Sequence, residues 1–157
     1  IGQIEVRGPN VFKGYWKMPE KTKAELRGNG FFITGDLGKI DEDGYVHILG
    51  RDKDLIISGG FNIYPKELEE IIDDQEGVLE SAVIGVPHPD FGETPIAVIV
   101  SGTETIPDLE VIESNLGKSL ARYKHPKKLF LTDQLPRNTM GKVQKNVLRE
   151  EYKSLFS

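Results

Sequence analysis

The sequence contains no cysteine, which excludes disulfides, thiolate metal sites and a thiol nucleophile of its own. Histidine is scarce: His47, His88 and His125 stand far apart and show no metal-ligand spacing. No apolar run approaches the roughly 20 residues that cross a bilayer, so no membrane span is expected. An initiator methionine, a basic leader and an apolar signal core are also missing from the first residues. Ile1-Gly2-Gln3-Ile4-Glu5-Val6 reads instead as a strand in progress, and the expectation is a truncated chain with more protein before Ile1. Net positive charge is absent too. A formal charge of −5 argues against general nucleic-acid binding.

What is present is an ordinary globular mix, 38% hydrophobic and 29% charged in 157 residues, enough for one domain or one domain plus a fragment. The charge is uneven. Lys118, Arg122, Lys124, Lys127, Lys128, Arg137, Lys142, Lys145 and Arg149 share a tract whose only acid is Asp133. Such a tract is either a solvated basic face or a local site for a phosphorylated ligand.

Residues 1–50 are glycine-rich with short alternating runs. Gln3–Arg7 and Phe31–Thr34 read as strands, Pro19–Leu26 as a short helix, and Asp41-Glu42-Asp43-Gly44 as the turn into a strand at Tyr45–Leu49. This is small-sheet material, too short and polar for a complete domain. After a polar joint at residues 51–54 the pattern changes. Leu55–Ser58 is a short strand, followed by Gly59-Gly60, read as a tight strand–helix turn. Pro65 opens a helix through Asp74, with Leu68, Ile71 and Ile72 on one face. Val78–Val86, Ile96–Val100 and Lys128–Thr132 are strands. Asp108 caps a helix through Leu120, and Asn146–Phe156 is the last helix. The expected fold class is α+β: a short central sheet flanked by helices at 53–157, preceded by a β-rich remnant at 1–52.

Four segments carry possible chemistry, and each is bland when taken alone. Asp36 in Thr34-Gly35-Asp36 could accept ribose hydroxyls or be a turn Asp. Arg51 offers fixed donors for ribose or phosphate, or a surface ion pair. Gly59-Gly60 permits close backbone approach by a ligand, or merely a turn. Lys142, in Pro136-Arg137-Asn138-Thr139-Met140-Gly141-Lys142, can reach an anion from a loop, or simply be an exposed base.

Their order and spacing, together with Gly2-Gln3-Ile4, Gly8-Pro9, Gly14-Tyr15-Trp16, Pro19-Glu20 and Thr22, resemble the adenylate-forming (AMP-binding) superfamily of acyl-CoA synthetases, luciferases and adenylation domains. The resemblance covers essentially the whole chain. It implies the C-terminal part of an ATP-dependent acid–thiol ligase that uses ATP, Mg²⁺ and coenzyme A. The partner would be the enzyme's own large domain, holding the phosphate loop and the acid pocket. Position by position, Lys142 would be the catalytic charge on the carboxylate and α-phosphate. Asp36 and Arg51 would bind the ATP ribose, and Lys53 would be the hinge. Gly59 and Gly60 would line the pantetheine tunnel, with Phe91, Tyr123, Lys124 and Lys127 contacting CoA. The resemblance also implies a cytoplasmic enzyme and reversible acetylation of Lys142 by an acetyltransferase and deacetylase. Asp36-Leu37-Gly38, Gly60–Glu67, Gly85–Glu93 and the Leu135–Leu148 tail look most like bacterial malonyl-CoA synthetases. Related enzymes for medium-chain, other fatty or aryl acids share every motif. A chain of this length acting alone as an inactive binding module is the reading from another class.

Overall fold

The computed structural model describes residues 1–102 and 105–157, arranged as two compact units, Ile1–Lys53 and Asp54–Ser157. In the first unit three antiparallel strands lie in the order β1 (Gly2–Val6), β2 (Phe32–Ile40), β3 (Val46–Arg51), with a short helix α1 (Pro19–Glu25) between the first two in sequence. Pro19 sets the first turn of α1, whose N-cap, Met18, supplies no side-chain bond. Helix α1 stops before Leu26, which pairs instead with Phe32. The β2–β3 turn is held by Asp41, whose carboxylate accepts the amides of Asp43 (3.1 Å) and Tyr45 (2.8 Å). None of the fully buried hydrophobic side chains of the described residues lies in this unit; all fall between Ile56 and Leu148.

The second unit is a five-stranded sheet between helices. A hairpin of β4 (Ile56–Ser58) and β5 (Phe61–Ile63) joins the long antiparallel pair β6 (Val78–His88) and β7 (Gly92–Ser101) through Ser58 opposite Gly92. Strand β8 (Leu129–Thr132) runs parallel to β7, Ala97 opposite Leu129. Alternation sorts the side chains. Val83, Ala97 and Ile99 face helices α2 (Pro65–Asp73) and α3 (Leu109–Ser119), which return Leu68, Ile72, Ile112 and Leu116, spaced by four. Ala82, Ile84, Val86, Ile96, Val98 and Val100 face the other way, against Leu148 of α4 (Lys145–Tyr152) and Leu135. Because helices cover both faces, β6 and β7 read as continuous apolar runs.

The expected α+β class and flanking helices are those observed. Asp108 caps α3 as expected, accepting from Glu110 N at 2.9 Å and Val111 N at 3.3 Å. Two expectations are corrected. Gly59-Gly60 is the two-residue turn of the β4–β5 hairpin rather than a strand–helix turn; both φ angles are positive (55° and 84°), as a type I′ turn demands. The last helix ends at Tyr152, and the remaining turn carries Leu155 and Phe156 back onto the core.

Candidate functional site

In the first unit the cross-strand register places Asp36 opposite Arg51. Arg51 Nε lies 2.9 Å from Asp36 Oδ1, and its Nη1 donates to the Thr34 carbonyl at 3.2 Å. The Asp36 amide in turn donates to Thr34 Oγ1 (3.1 Å). The register slips between Leu37 and Gly38, a bulge beside the pair that re-aims the strand end. Asp36, Arg51 and Lys53 line one cleft of about 840 Å³ with Thr34, Tyr15 and Lys21. Lys21 Nζ sits 4.3 Å over the Tyr15 ring. Chiefly because its hydroxyl donates to Glu25, the Tyr15 phenol titrates above its ordinary value. A carboxylate with a free lone pair, a forked cation and an aromatic edge suit a nucleoside diol and an adjacent phosphate.

In the second unit Gly59, Phe91, Tyr123 and Lys127 line one small cavity of about 170 Å³, with Ser58, Phe61, Thr94 and Arg122. The Gly59 amide donates to the Phe91 carbonyl (2.9 Å), which ties the hairpin turn to the β6–β7 connection. Phe61 stacks on Tyr123 with centroids 4.6 Å apart, and Lys127 Nζ lies 5.1 Å over Phe91. Gly60 is the neighbouring turn residue and does not line the cavity. Neither does Lys124: its ammonium makes two 2.7 Å bonds to the Glu67 carboxylate of α2. An apolar slot rimmed by cations fits a chain ending in anionic groups.

Lys142 occupies a third place. Its loop is far from slack. Asn138 N donates to Lys142 O (3.0 Å), Gly141 N to Asn138 O (2.9 Å), and the Asn138 side chain accepts from Met140 N (3.0 Å) and Lys142 N (2.9 Å). Arg137 pairs with Val143 across the base, and its guanidinium spans the Gly141 carbonyl and the Glu80 carboxylate. The Lys142 ammonium is exposed and has no hydrogen-bond or ion-pair partner among the described residues.

Glu80 lies near the start of β6, whereas His88, at its end, pairs with Gly92 beside the hairpin cavity. Eight residues of strand separate these positions by roughly 26 Å at about 3.3 Å per residue. The Lys142 loop and the cavity therefore sit at opposite ends of one ladder. Sequence reasoning missed Thr94, Arg122, Phe61 and Glu80 as neighbours of these sites. Arg122 was visible in the basic tract and Phe61 beside the paired glycines; nothing local marks Thr94 or Glu80.

Residues 67–142 match the model of the AMP-binding enzyme C-terminal domain. Long-chain-fatty-acid–CoA ligase FadD13 of Mycobacterium tuberculosis is 44% identical over 151 residues, covering 96% of this chain and 30% of that protein. ATP-bound MatB from Rhodopseudomonas palustris superposes with a TM-score of 0.90 at 65% identity, over 99% of this chain and 31% of that one. The amide bond synthetase McbA from Marinactinospora thermotolerans gives 0.90 at 34% identity, over 96% and 31%. The chain belongs to the adenylate-forming, AMP-binding family and carries its C-terminal domain. It spans about 30% of the length of the relatives it matches. No helix among the described residues is long and apolar enough to cross a membrane.

Proposed function

We propose that this chain is the C-terminal part of an AMP-forming acid–CoA ligase, in which Ile1–Lys53 closes the large domain and Asp54–Ser157 is the mobile one. In the first step an acid carboxylate attacks the α-phosphorus of ATP and pyrophosphate leaves; in the second the CoA thiol attacks the acyl-adenylate and AMP leaves. Two anions meet in the first step, and Lys142 supplies the positive charge where they do. Asp36 and Arg51 hold the ribose. Gly59, Phe91, Tyr123 and Lys127 guide CoA, with Lys124 reduced to bracing α2 through Glu67. The observation that carries this reading is the unpaired Lys142 on a hydrogen-bonded loop, in a domain that matches the family model. Among the described residues no group of three or more acidic, histidine or cysteine side chains could hold a metal ion. Mg²⁺ would accompany the ATP phosphates, as it does at nucleotide sites generally.

For the acid we propose malonate, in a cytoplasmic enzyme of acyl-CoA metabolism. Support comes from the motif resemblance to bacterial malonyl-CoA synthetases and from the 65% identity with MatB, against 44% with FadD13. Medium-chain, other fatty and aryl acids are the rival substrates. Thioester formation by the whole enzyme with malonate, methylmalonate, acetate and longer acids decides among them, and indifference to the dicarboxylates sinks the malonate reading. The isolated chain, lacking a phosphate loop, should release no pyrophosphate and act only as a binding module. The exposed Lys142 is also open to acetylation, which would erase its charge. An acetylated enzyme that still adenylates at full rate would refute that regulation.

A further inference from the structure

Lys142 can act on a reacting phosphate only if its Cα–Cβ bond points the right way, and an exposed lysine on a loop has no packing to ensure this. The direction is set by the peptide unit between Gly141 and Lys142. Both polar atoms of that unit are taken. Its N–H donates to Asn138 Oδ1 (2.9 Å), and its carbonyl accepts from Arg137 Nη1 (2.6 Å). Asn138 belongs to the loop, so its bonds fix the loop's shape alone. Arg137 reaches further: its Nη2 pairs with Glu80 on β6. One planar guanidinium thus clamps the peptide before Lys142 to the central sheet.

We propose that Arg137 and Glu80 are positioning residues for Lys142, orienting its ammonium for the adenylation step. The proposal rests on the reading of Lys142 given above. A fork of fixed donors is the group suited to this task, because it holds two acceptors at a set angle where an ammonium would act as a single point. The pair is half-exposed, with side-chain exposures of 43% and 29%, so its contribution to stability is small and its value lies in orientation.

The test uses the whole enzyme and reads the half-reactions separately: ATP–pyrophosphate exchange at saturating ATP, and thioester formation from supplied acyl-adenylate, with thermal midpoints alongside. Arg137→Met should lower exchange by about 10- to 100-fold, the scale of a slight misplacement of a catalytic group, while thioester formation holds. Glu80→Gln should move exchange in the same direction, and the double variant should be no worse than Arg137→Met, since one clamp is broken once. If Arg137→Met fails to fold, Arg137→Lys keeps the charge but not the fork and should show the same split. Unchanged exchange, equal losses in both half-reactions, or losses that multiply in the double variant would overturn the proposal. Lys142→Ala runs beside them. If it abolishes exchange while Arg137→Met leaves exchange unchanged, this proposal alone fails; if Lys142→Ala leaves exchange intact, the reading of Lys142 fails and takes the proposal with it.

Discussion

Gly59 and Gly60 look equivalent in the sequence, but substitution should separate them. Both have positive φ, 55° and 84°, so an alanine at either meets the left-handed penalty of about 1–2 kcal/mol. Part of that is offset by about 0.4–1 kcal/mol of lost freedom in the unfolded chain. Each variant should then be destabilised by about 1 kcal/mol, a fall of about 4 °C in Tm for a domain of this size. A new Cβ at Gly60 meets nothing within 4 Å, whereas at Gly59 it comes to 3.4 Å from Phe91 Cδ1, on the wall of the hairpin cavity. The single contact at Gly59 is of ordinary van der Waals length and adds little to the strain, so stability should not distinguish the two. Ligand entry should. An extra methyl in a filled slot costs about 1–3 kcal/mol, or roughly tenfold to a hundredfold in binding. Gly59→Ala should raise the KM for CoA by that factor and leave pyrophosphate exchange intact; Gly60→Ala should lose stability only. Thermal melts and thioester kinetics over a CoA titration measure both. Equal KM effects from the two variants, or a matching loss of exchange in Gly59→Ala, would refute the placement of CoA in that cavity.

Asp36→Ala and Arg51→Ala should each raise the KM for ATP by roughly tenfold to a hundredfold, the value of a charged hydrogen bond, and unchanged ATP kinetics would remove the ribose from that cleft. Glu69 accepts the Val83 amide of the edge strand β6 at 2.7 Å and pairs with Lys145 at 2.6 Å, both partners 18% exposed. Glu69→Ala leaves the amide and the cation without it and should cost about 2–3 kcal/mol in denaturant unfolding; a loss near zero would show that water satisfies both. The Asp41 carboxyl is held below its ordinary 3.8, first by its hydrogen bond to His47 and then by the Tyr45 amide. Its contribution is therefore full above 3.8 and fades as the pH falls through the depressed value, so unfolding curves of the native chain and Asp41→Asn should converge on acidification, and a constant gap would contradict this.

The central fold was legible because its signals are local. Val83 to Val86 and Ile96 to Val100 are apolar runs that only a strand covered on both faces needs, and Leu68 with Ile72 or Ile112 with Leu116 repeat at the helical spacing. Asp108 announces α3 by its own side chain. Strand β5 was not legible: three residues hold barely one period, Phe61 and Asn62 are exposed, and only Ile63 is buried. Paired glycines permit a hairpin as well as a strand–helix turn, and cross-strand pairing with Ile56–Ser58 chose the hairpin. The candidate sites split the same way. Lys124 and Lys127 carry equal charge in one tract, yet Glu67, 57 positions away, takes Lys124 while Lys127 stays over Phe91. Glu80 and Arg137 are also 57 positions apart, a separation at which no local pattern survives.

That non-local geometry also constrains how the two proposed half-reactions can share one domain. The Lys142 loop is clamped at Glu80, and the hairpin cavity lies beside Gly92 and His88, at the other end of the β6–β7 ladder. A gap of roughly 26 Å far exceeds the reach of one extended lysine, and the ladder between them is the best-buried part of the domain, so it cannot fold to bring them together. An acyl group bound at one place cannot be met by both at once. If Lys142 serves adenylation and the cavity serves thioester formation, the domain must present first one end and then the other, as a rigid body. We propose that this motion is hinged in the chain after Lys53, at the boundary that divides the two compact units. On the far side of that joint the Asp54 carboxylate is fixed to Arg149 of α4 at 2.6 Å, so rotation there would carry the sheet, the loop and the cavity together.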